Sequence, residues 1–342
     1  MTRKLKLALA VLGVSLALMP QAFPQSYPSR PLRMVIPFAP GGSPDIIGRM
    51  VSEELGTMLG QSVVVENRAG AGGNIAVQYV IDQPADGYTL LLGTSGNMAS
   101  NKVLYRNLKF DTEVDLVPVS VAYTTCNALI VPEAGPKTVA ELIAQAKANP
   151  GKLTFGSPGV GTAGHLIGEL FKTTTGAPLT HVPYRGQTQV INDLLGGHLS
   201  MSFEVAATAI PVVQSGKMRA LAVTCPRRLA QLPDTPIFAE AGIQGFVLEG
   251  LALVAAHGKT PPDIVKRLNE AMVKIIGSGK VTDKIAGMGL QARSSSPDEA
   301  RTLLKADVNR WGAVVKAAGI PPLEISRFMG RQARSTGGGE SK

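Results

Sequence analysis

The feature that most constrains this chain is a repeated couplet. A short apolar run ends in a glycine-rich loop and is followed at once by apolar residues at helical spacing. Residues 32–38 (LRMVIPF) read as a buried strand that ends in Ala39-Pro40-Gly41-Gly42. Ser43 then suits a helix N-cap with Pro44 at the first helical position. Ile46, Ile47, Met50, Val51, Leu55, Met58 and Leu59 follow on one helical face, and Gly60 stops the helix. Residues 63–66 make the next strand, which completes a strand–helix–strand unit of the parallel-sheet kind.

The couplet recurs along the chain. Strands are expected at 88–92, 127–131, 153–155, 180–182, 199–203, 218–223 and 248–254. Helices are expected at 74–82, 139–148 (capped by Thr138), 162–171, 262–276, 281–288 and 297–318. The length of 342 residues suggests two domains. The fold class is therefore α/β, with two doubly wound α/β lobes and a ligand cleft between them. There is no sequence repeat and no long linker, so the lobes should exchange chain at short crossovers. The expected division is 26–123 with 247–326 for the first lobe and 124–246 for the second.

The two ends are set apart. Arg3, Lys4 and Lys6 precede a 13-residue apolar run at 7–19, too short to span a bilayer as a helix. With Pro20-Gln21-Ala22 after it, residues 1–25 read as a secretory signal peptide, so the mature protein is expected outside the cytoplasm. Residues 327–342 are rich in Gly, Ser and Arg and are expected to be disordered. These ends bear on the net charge of +9. The signal carries three positive charges and the tail a net three, which leaves +3 for the body. No Lys/Arg cluster is interleaved with aromatics, so a nucleic-acid partner is not expected. Cys126 and Cys225 are the only cysteines. In an exported protein that count permits one disulfide, and two separate thiols are the equal alternative.

Ligands of doubly wound sheets bind beyond the carboxyl ends of strands. Four strand-end loops fit. The first is 37–45, with Phe38, Gly41, Gly42, Ser43 and Asp45. Its glycines admit close approach, and the helix that follows presents free N–H groups and a positive dipole end. A plain tight turn with a cap explains the same residues, and Asp45 already complements the dipole. The second loop holds Ser95, Gly96 and Asn97. The third, 156–165, holds Ser157, Gly161, Thr162 and His165, with His165 either a ligand contact or a packed residue. Gly159, Gly161 and Gly164 match a dinucleotide fingerprint, but no acidic residue follows at the next strand end, where 181–185 reads HVPYR. The fourth contributes Glu204, which either reaches a cleft or ends a strand.

No G-x-S-x-G elbow, Walker lysine or metal spacing among the four histidines appears, and nothing nominates a nucleophile with its base. No catalytic residue, metal or cofactor is expected. An exported α/β enzyme acting on a small carboxylate in the same cleft is the alternative function.

Eight motifs in order then carry a resemblance over nearly the whole chain: PFAPGGSPD (37–45), VVVENRAGAGGN (63–74), DGYTLLLGT (86–94), ANPGKLTFGSPGVGT with His165 (148–165), HVPYRG (181–186), DLLGGH (193–198), GKMRALAVT (216–224) and LPDTP (232–236). The chain resembles the Bug-type solute-binding proteins of tripartite tricarboxylate transporters. The resemblance implies a monomeric periplasmic protein, similar to type II periplasmic binding proteins, whose lobes close on a small carboxylate. It implies delivery to membrane subunits of that transporter type, or a report to a sensor protein. By position it assigns the ligand grip to Gly41, Gly42, Ser43 and Asp45, with further contacts from the loops at 95–97 and 157–165 and from Tyr184 and Arg185. Glu204 departs from the Asp usual in the family, and Cys126 and Cys225 stand where other residues are expected, so a disulfide would not be a family feature.

Overall fold

In the computed structural model residues 27–184 and 186–324 are described. The expected signal peptide, Arg185 and the expected tail lie outside them. The first lobe is built as the couplet requires. β1 (Leu32–Ile36) leads to α1 (Ser43–Leu59), β2 (Val63–Asn67), α2 (Asn74–Ile81) and β3 (Thr89–Thr94). β1 lies between β2 and β3, parallel to both. Its side chains alternate as a strand with two covered faces demands. Met34 and Ile36 pack with Ile47, Val51 and Leu55 of α1, while Val35 joins Val77 and Val80 of α2 on the other face.

After β3 the chain makes a π-helical turn at Gly96–Ser100, then α3 (Asn101–Leu104) and the short β4 (Tyr105–Arg106). β5 (Leu116–Pro132) follows and is the spine of the molecule. The second lobe contains α4 (Val139–Ala148), β6 (Thr154–Ser157), α5 (Ala163–Thr175), β7 (Thr180–Pro183), α6 (Gln187–Leu195), β8 (Met201–Val205), α7 (Ala206–Gln214) and β9 (Met218–Val223). β10 (Glu249–His257) carries the chain back. Then come α8 (Pro262–Ile276), α9 (Gly279–Gly287), β11 (Gln291–Ala292), α10 (Pro297–Ala317) and β12 (Leu323–Glu324).

One ten-stranded sheet runs through both lobes in the order β2-β1-β3-β10-β5-β8-β6-β7, with β9 and β11 also on β5. The parallel pairs sit inside each lobe, β1 with β2 and β3, and β6 with β7 and β8. The crossing strands are antiparallel: β10 to β3 and β5, and β5 to β8 and β9. β5 changes partner in mid-strand, with Cys126 opposite Glu249 of β10 and Asn127 opposite Val205 of β8.

The expected strand at 127–131 is thus only the second half of β5. Its first half carries Pro118 and a polar stretch at 124–125, which mask a strand signal. Pro118 is tolerated because the ladder shifts register between Val254 and Ala255, its partner. The other expected elements form with ends moved by a few residues. Thr138 caps α4 by accepting from the Glu141 N–H at 3.1 Å. The expected cap Ser43 does not cap α1; Gly42 takes that position without a side-chain bond.

In the second lobe Phe171, Phe203, Phe238 and Phe246 pack as one aromatic cluster, and Phe155 in the same core lies against His181. On the opposite sheet face Ala128 and Ile130 of β5 meet Val190, Leu194 and Ile210. Cys126 and Cys225 lie in that core and are joined as a disulfide, with Cα atoms 5.3 Å apart.

Candidate functional site

The first loop leaves β1 at Pro37 and enters α1 at Ser43. Asp45, 4% exposed, holds it together from inside. Its carboxylate accepts from the Gly41 N–H at 3.0 Å, from Arg49 Nε at 3.1 Å and from Asn67 Nδ2 at 2.9 Å. Asn67 also donates to the Phe38 carbonyl at 3.0 Å. Burial alone would raise the Asp45 pKa; the bonds from Arg49, Asn67 and Gly41 outweigh it and hold the carboxyl below its ordinary value. The Ser43 hydroxyl is bonded to Tyr123 of β5, whose phenol burial raises well above its ordinary pKa. Gly41 and Gly42 remain exposed at the surface of the loop. Gly42 has an extended backbone (φ −80°, ψ 168°), and a Cβ there would meet nothing nearer than Pro44 Cδ at 3.6 Å. The loop therefore offers backbone N–H groups at a helix N-terminus, held from behind by side chains.

The second loop is built the same way. Ser95 is buried, and its hydroxyl accepts from the Leu251 N–H of β10 at 2.7 Å. Asn97, 1% exposed, accepts from the Thr94 N–H at 3.1 Å and donates to the Thr94 hydroxyl at 3.2 Å. Gly96 is left half-buried between them.

In the third loop Ser157 is fully buried at the end of β6. Its hydroxyl lies 3.0 Å from the Gly159 carbonyl and 2.7 Å from His181 Nε2. Thr162 donates to the same carbonyl at 2.7 Å, and the Gly161 N–H donates to His165 Nδ1 at 3.2 Å. His165 is thus a packed residue that shapes the loop; its ring lies 4.2 Å from that of His181. Burial lowers both histidine pKa values, His181 to about 3, so both rings are neutral at neutral pH. Gly161 touches the other lobe: a Cβ there would come within 2.4 Å of Leu104 Cδ2 and 3.8 Å of Asn101 Oδ1. Its φ of +86° independently favours glycine.

Glu204 sits near the carboxyl end of β8 and is fully buried. It accepts from Ser202 Oγ at 2.6 Å and from Gln187 Nε2 at 2.6 Å. Burial pushes its pKa from the ordinary 4.5 up to about 7, against the opposing effect of those two bonds. Tyr184 donates to Asp193 at 2.6 Å, and burial together with that carboxylate pushes its phenol up to about 12.

A pH dependence follows for Glu204. Below about pH 4.5 the residue is protonated in both the folded and unfolded states. Between about 4.5 and 7 the unfolded chain loses the proton and the folded one keeps it, so stability falls as pH rises through that window. The expected loss is about 3 kcal/mol. Glu204→Gln should flatten the melting-temperature profile between these pH values; an unchanged slope in the variant would refute the assignment.

The structure also recruits residues that the loop reading passed over. Arg49 and Asn67 complete the Asp45 clamp. Asn101 donates to the Gly72 carbonyl at 3.0 Å and to Asn74 Oδ1 at 2.8 Å, which brings the 70–74 turn against the second loop. The motif VVVENRAGAGGN held the signal for both Asn67 and this turn. A separate cavity of about 840 Å3 in the second lobe, lined by Thr138, Met218, Arg219 and Asp234 among others, shares no residue with the four loops. Among the described residues no group of three or more His, Cys, Asp or Glu side chains is placed to hold a metal ion. No described helix is long and apolar enough to cross a membrane.

Two lobes threaded by a shared sheet, with the glycine loop of the second lobe against α3 of the first, have the architecture of a two-lobe solute-binding protein. The chain belongs to the tripartite tricarboxylate transporter family of receptors, whose profile matches residues 47–320. It is 36% identical over 316 residues to the protein BugT of Bordetella pertussis (strain Tohama I), covering 91% of this chain and 97% of that one. Among solved structures it is similar to Rpa4515 of R. palustris with adipate: TM-score 0.82, 38% identity, 87% of this chain and 100% of that chain. It is also similar to MatC from Rhodopseudomonas palustris with bound malate: TM-score 0.78, 26% identity, 84% and 100%.

Proposed function

We propose that this protein is a periplasmic receptor that captures a small carboxylate by closure of its two lobes and delivers it to membrane subunits of a tripartite tricarboxylate-type transporter. The observation that carries the reading is the division of labour in the loops. Asp45, Asn97, Ser157 and Thr162 spend their side chains inside their loops and Ser95 spends its own on β10, which leaves Gly42, exposed at the N-terminus of α1, as the backbone position open to a ligand. Preorganised N–H donors at a helix N-terminus suit a carboxylate, and the similar proteins with adipate and malate support that ligand class. The lobes are residues 26–123 with 247–326, and 124–246, with β5 and β10 as the crossing segments. Each lobe supplies part of the contacts, so binding and closure are coupled. The protein acts as a monomer.

An enzyme in the same cleft finds one point of support, the 2.7 Å approach of Ser157 Oγ to His181 Nε2. A serine that is fully buried and tied to Gly159 is poorly placed to attack a substrate. Incubation of the protein with the carboxylate it binds, followed by NMR, is expected to return that compound unchanged; turnover would replace the receptor reading with the enzyme one.

Asp45→Ala should weaken carboxylate binding about tenfold, because it removes the shared acceptor that ties Gly41, Arg49 and Asn67 together and so loosens the loop that presents Gly42. It should also cost about 1–3 kcal/mol of stability, as expected for losing a buried charged acceptor. Calorimetry that gives wild-type affinity would remove Asp45 from the site.

A further inference from the structure

One turn of α10 carries a buried polar cluster: the Asp307 carboxylate faces Arg310, the Trp311 indole and the Ser95 hydroxyl, and within the cluster Asp307 Oδ2, Arg310 Nε and Trp311 Nε1 lack a hydrogen bond of ordinary geometry. Positions 307, 310 and 311 share a helix face. Asp307 and Trp311 are each 2% exposed. Buried polar groups are nearly always paired, so three together call for an explanation.

Their surroundings supply one. Arg310 Nη2 reaches both Asp307 Oδ1 and the carbonyl of Glu249, the first residue of β10. The Ser95 hydroxyl lies against the same carboxylate and also accepts from the Leu251 N–H. Glu249 and Gly250 pair with Cys126 and Thr125, just before β5 passes from β10 to β8. The cluster therefore joins the second ligand loop, the returning strand and α10 at the place where the chain crosses between lobes. α10 itself packs on the 96–100 turn and α3 of the first lobe and on α5 of the second.

We propose that Asp307, together with Arg310, is a positioning latch of the hinge: the pair sets the Ser95 loop and the start of β10 against α10 and thereby biases the balance between open and closed lobes. Asp307 acts through Ser95 and touches no ligand.

The ligand arm of this inference rests on the receptor reading, but its main test needs no ligand. Spin labels at Glu53→Cys in α1 and Thr174→Cys in α5, both exposed, report the distance between lobes. The native cysteines are bonded to each other and do not interfere. In ligand-free protein, Asp307→Asn, Arg310→Gln and the double variant should each shift the ratio of the distance populations at least threefold, by the same amount in all three. Distributions that overlay the wild type, or single shifts that add in the double variant, would overturn the latch. The lone tryptophan gives a second readout: adipate, used as the probe, should change Trp311 emission in the wild type and change it less in Asp307→Asn. A shifted distance ratio with no response to any carboxylate would support the latch and count against the receptor reading alone.

Discussion

Gly42→Val is expected to lower carboxylate affinity at least about 100-fold, a loss of about 2.7 kcal/mol, while the melting temperature falls by only a few degrees, the cost of a poorer N-cap on α1. The backbone at Gly42 lies in the extended region, which a β-branched residue adopts readily. A Cβ there meets only Pro44 Cδ at 3.6 Å, so the fold has room for the side chain. The added methyl groups would instead fill the space in front of the α1 N-terminus, where the carboxylate must approach the N–H groups. The substitution separates binding from folding, which a change at Asp45 or Ser157 would not. Calorimetry with wild-type affinity for the variant would show that the ligand does not sit on this loop.

The second large effect concerns the disulfide. Cys126 and Cys225 are 99 positions apart, so their bond closes almost the whole second lobe into one loop. Replacing both by alanine, or reducing the bond, should destabilise the protein by about 4–5 kcal/mol on chain-entropy grounds. That corresponds to a fall in melting temperature on the order of 10 °C. The bond also lies one residue from the point where β5 changes partner between lobes, so its loss should loosen the second lobe first. Equal melting temperatures for oxidised protein and double variant would mean that the bond adds nothing in solution.

The fold was largely legible because its signal is local. Ser43-Pro44 after a glycine pair, apolar residues at helical spacing, and short β-branched runs each report on a few neighbouring positions. Thr138 caps its helix and Met218–Val223 is a strand for that reason. What escaped depends on distant residues. The first half of β5 is stabilised by β10, more than a hundred positions away, and Pro118 argues against a strand in a local reading. The antiparallel sense of the crossing strands has no local trace.

The candidate site shows the same division. Its loops were visible as strand ends with glycines, but the work of their side chains was not. Asp45, Asn97, Ser157 and His165 stand out as polar groups in candidate loops, yet each bonds inward to shape its loop. Arg49, Asn67 and Asn101 looked like ordinary helix and strand residues until the fold brought them to the loops they hold. Asp307 and Arg310 sit in an amphipathic helix far along the chain; spacing puts Asp307 on the Leu304–Trp311 face, and only its charge suggests a solvent position.

The claim on which the rest depends is that this cleft takes a small carboxylate. A thermal-shift series with mono-, di- and tricarboxylates, aromatic acids and the matching amides and methyl esters tests it most directly. A ligand that binds only the folded state at 100 times its dissociation constant adds about 2.7 kcal/mol of stability. At least one free acid should therefore raise the melting temperature by several degrees, its uncharged analogues should not, and Gly42→Val should abolish the shift. If no acid raises it, or if ester and acid act alike, the carboxylate-receptor account is contradicted.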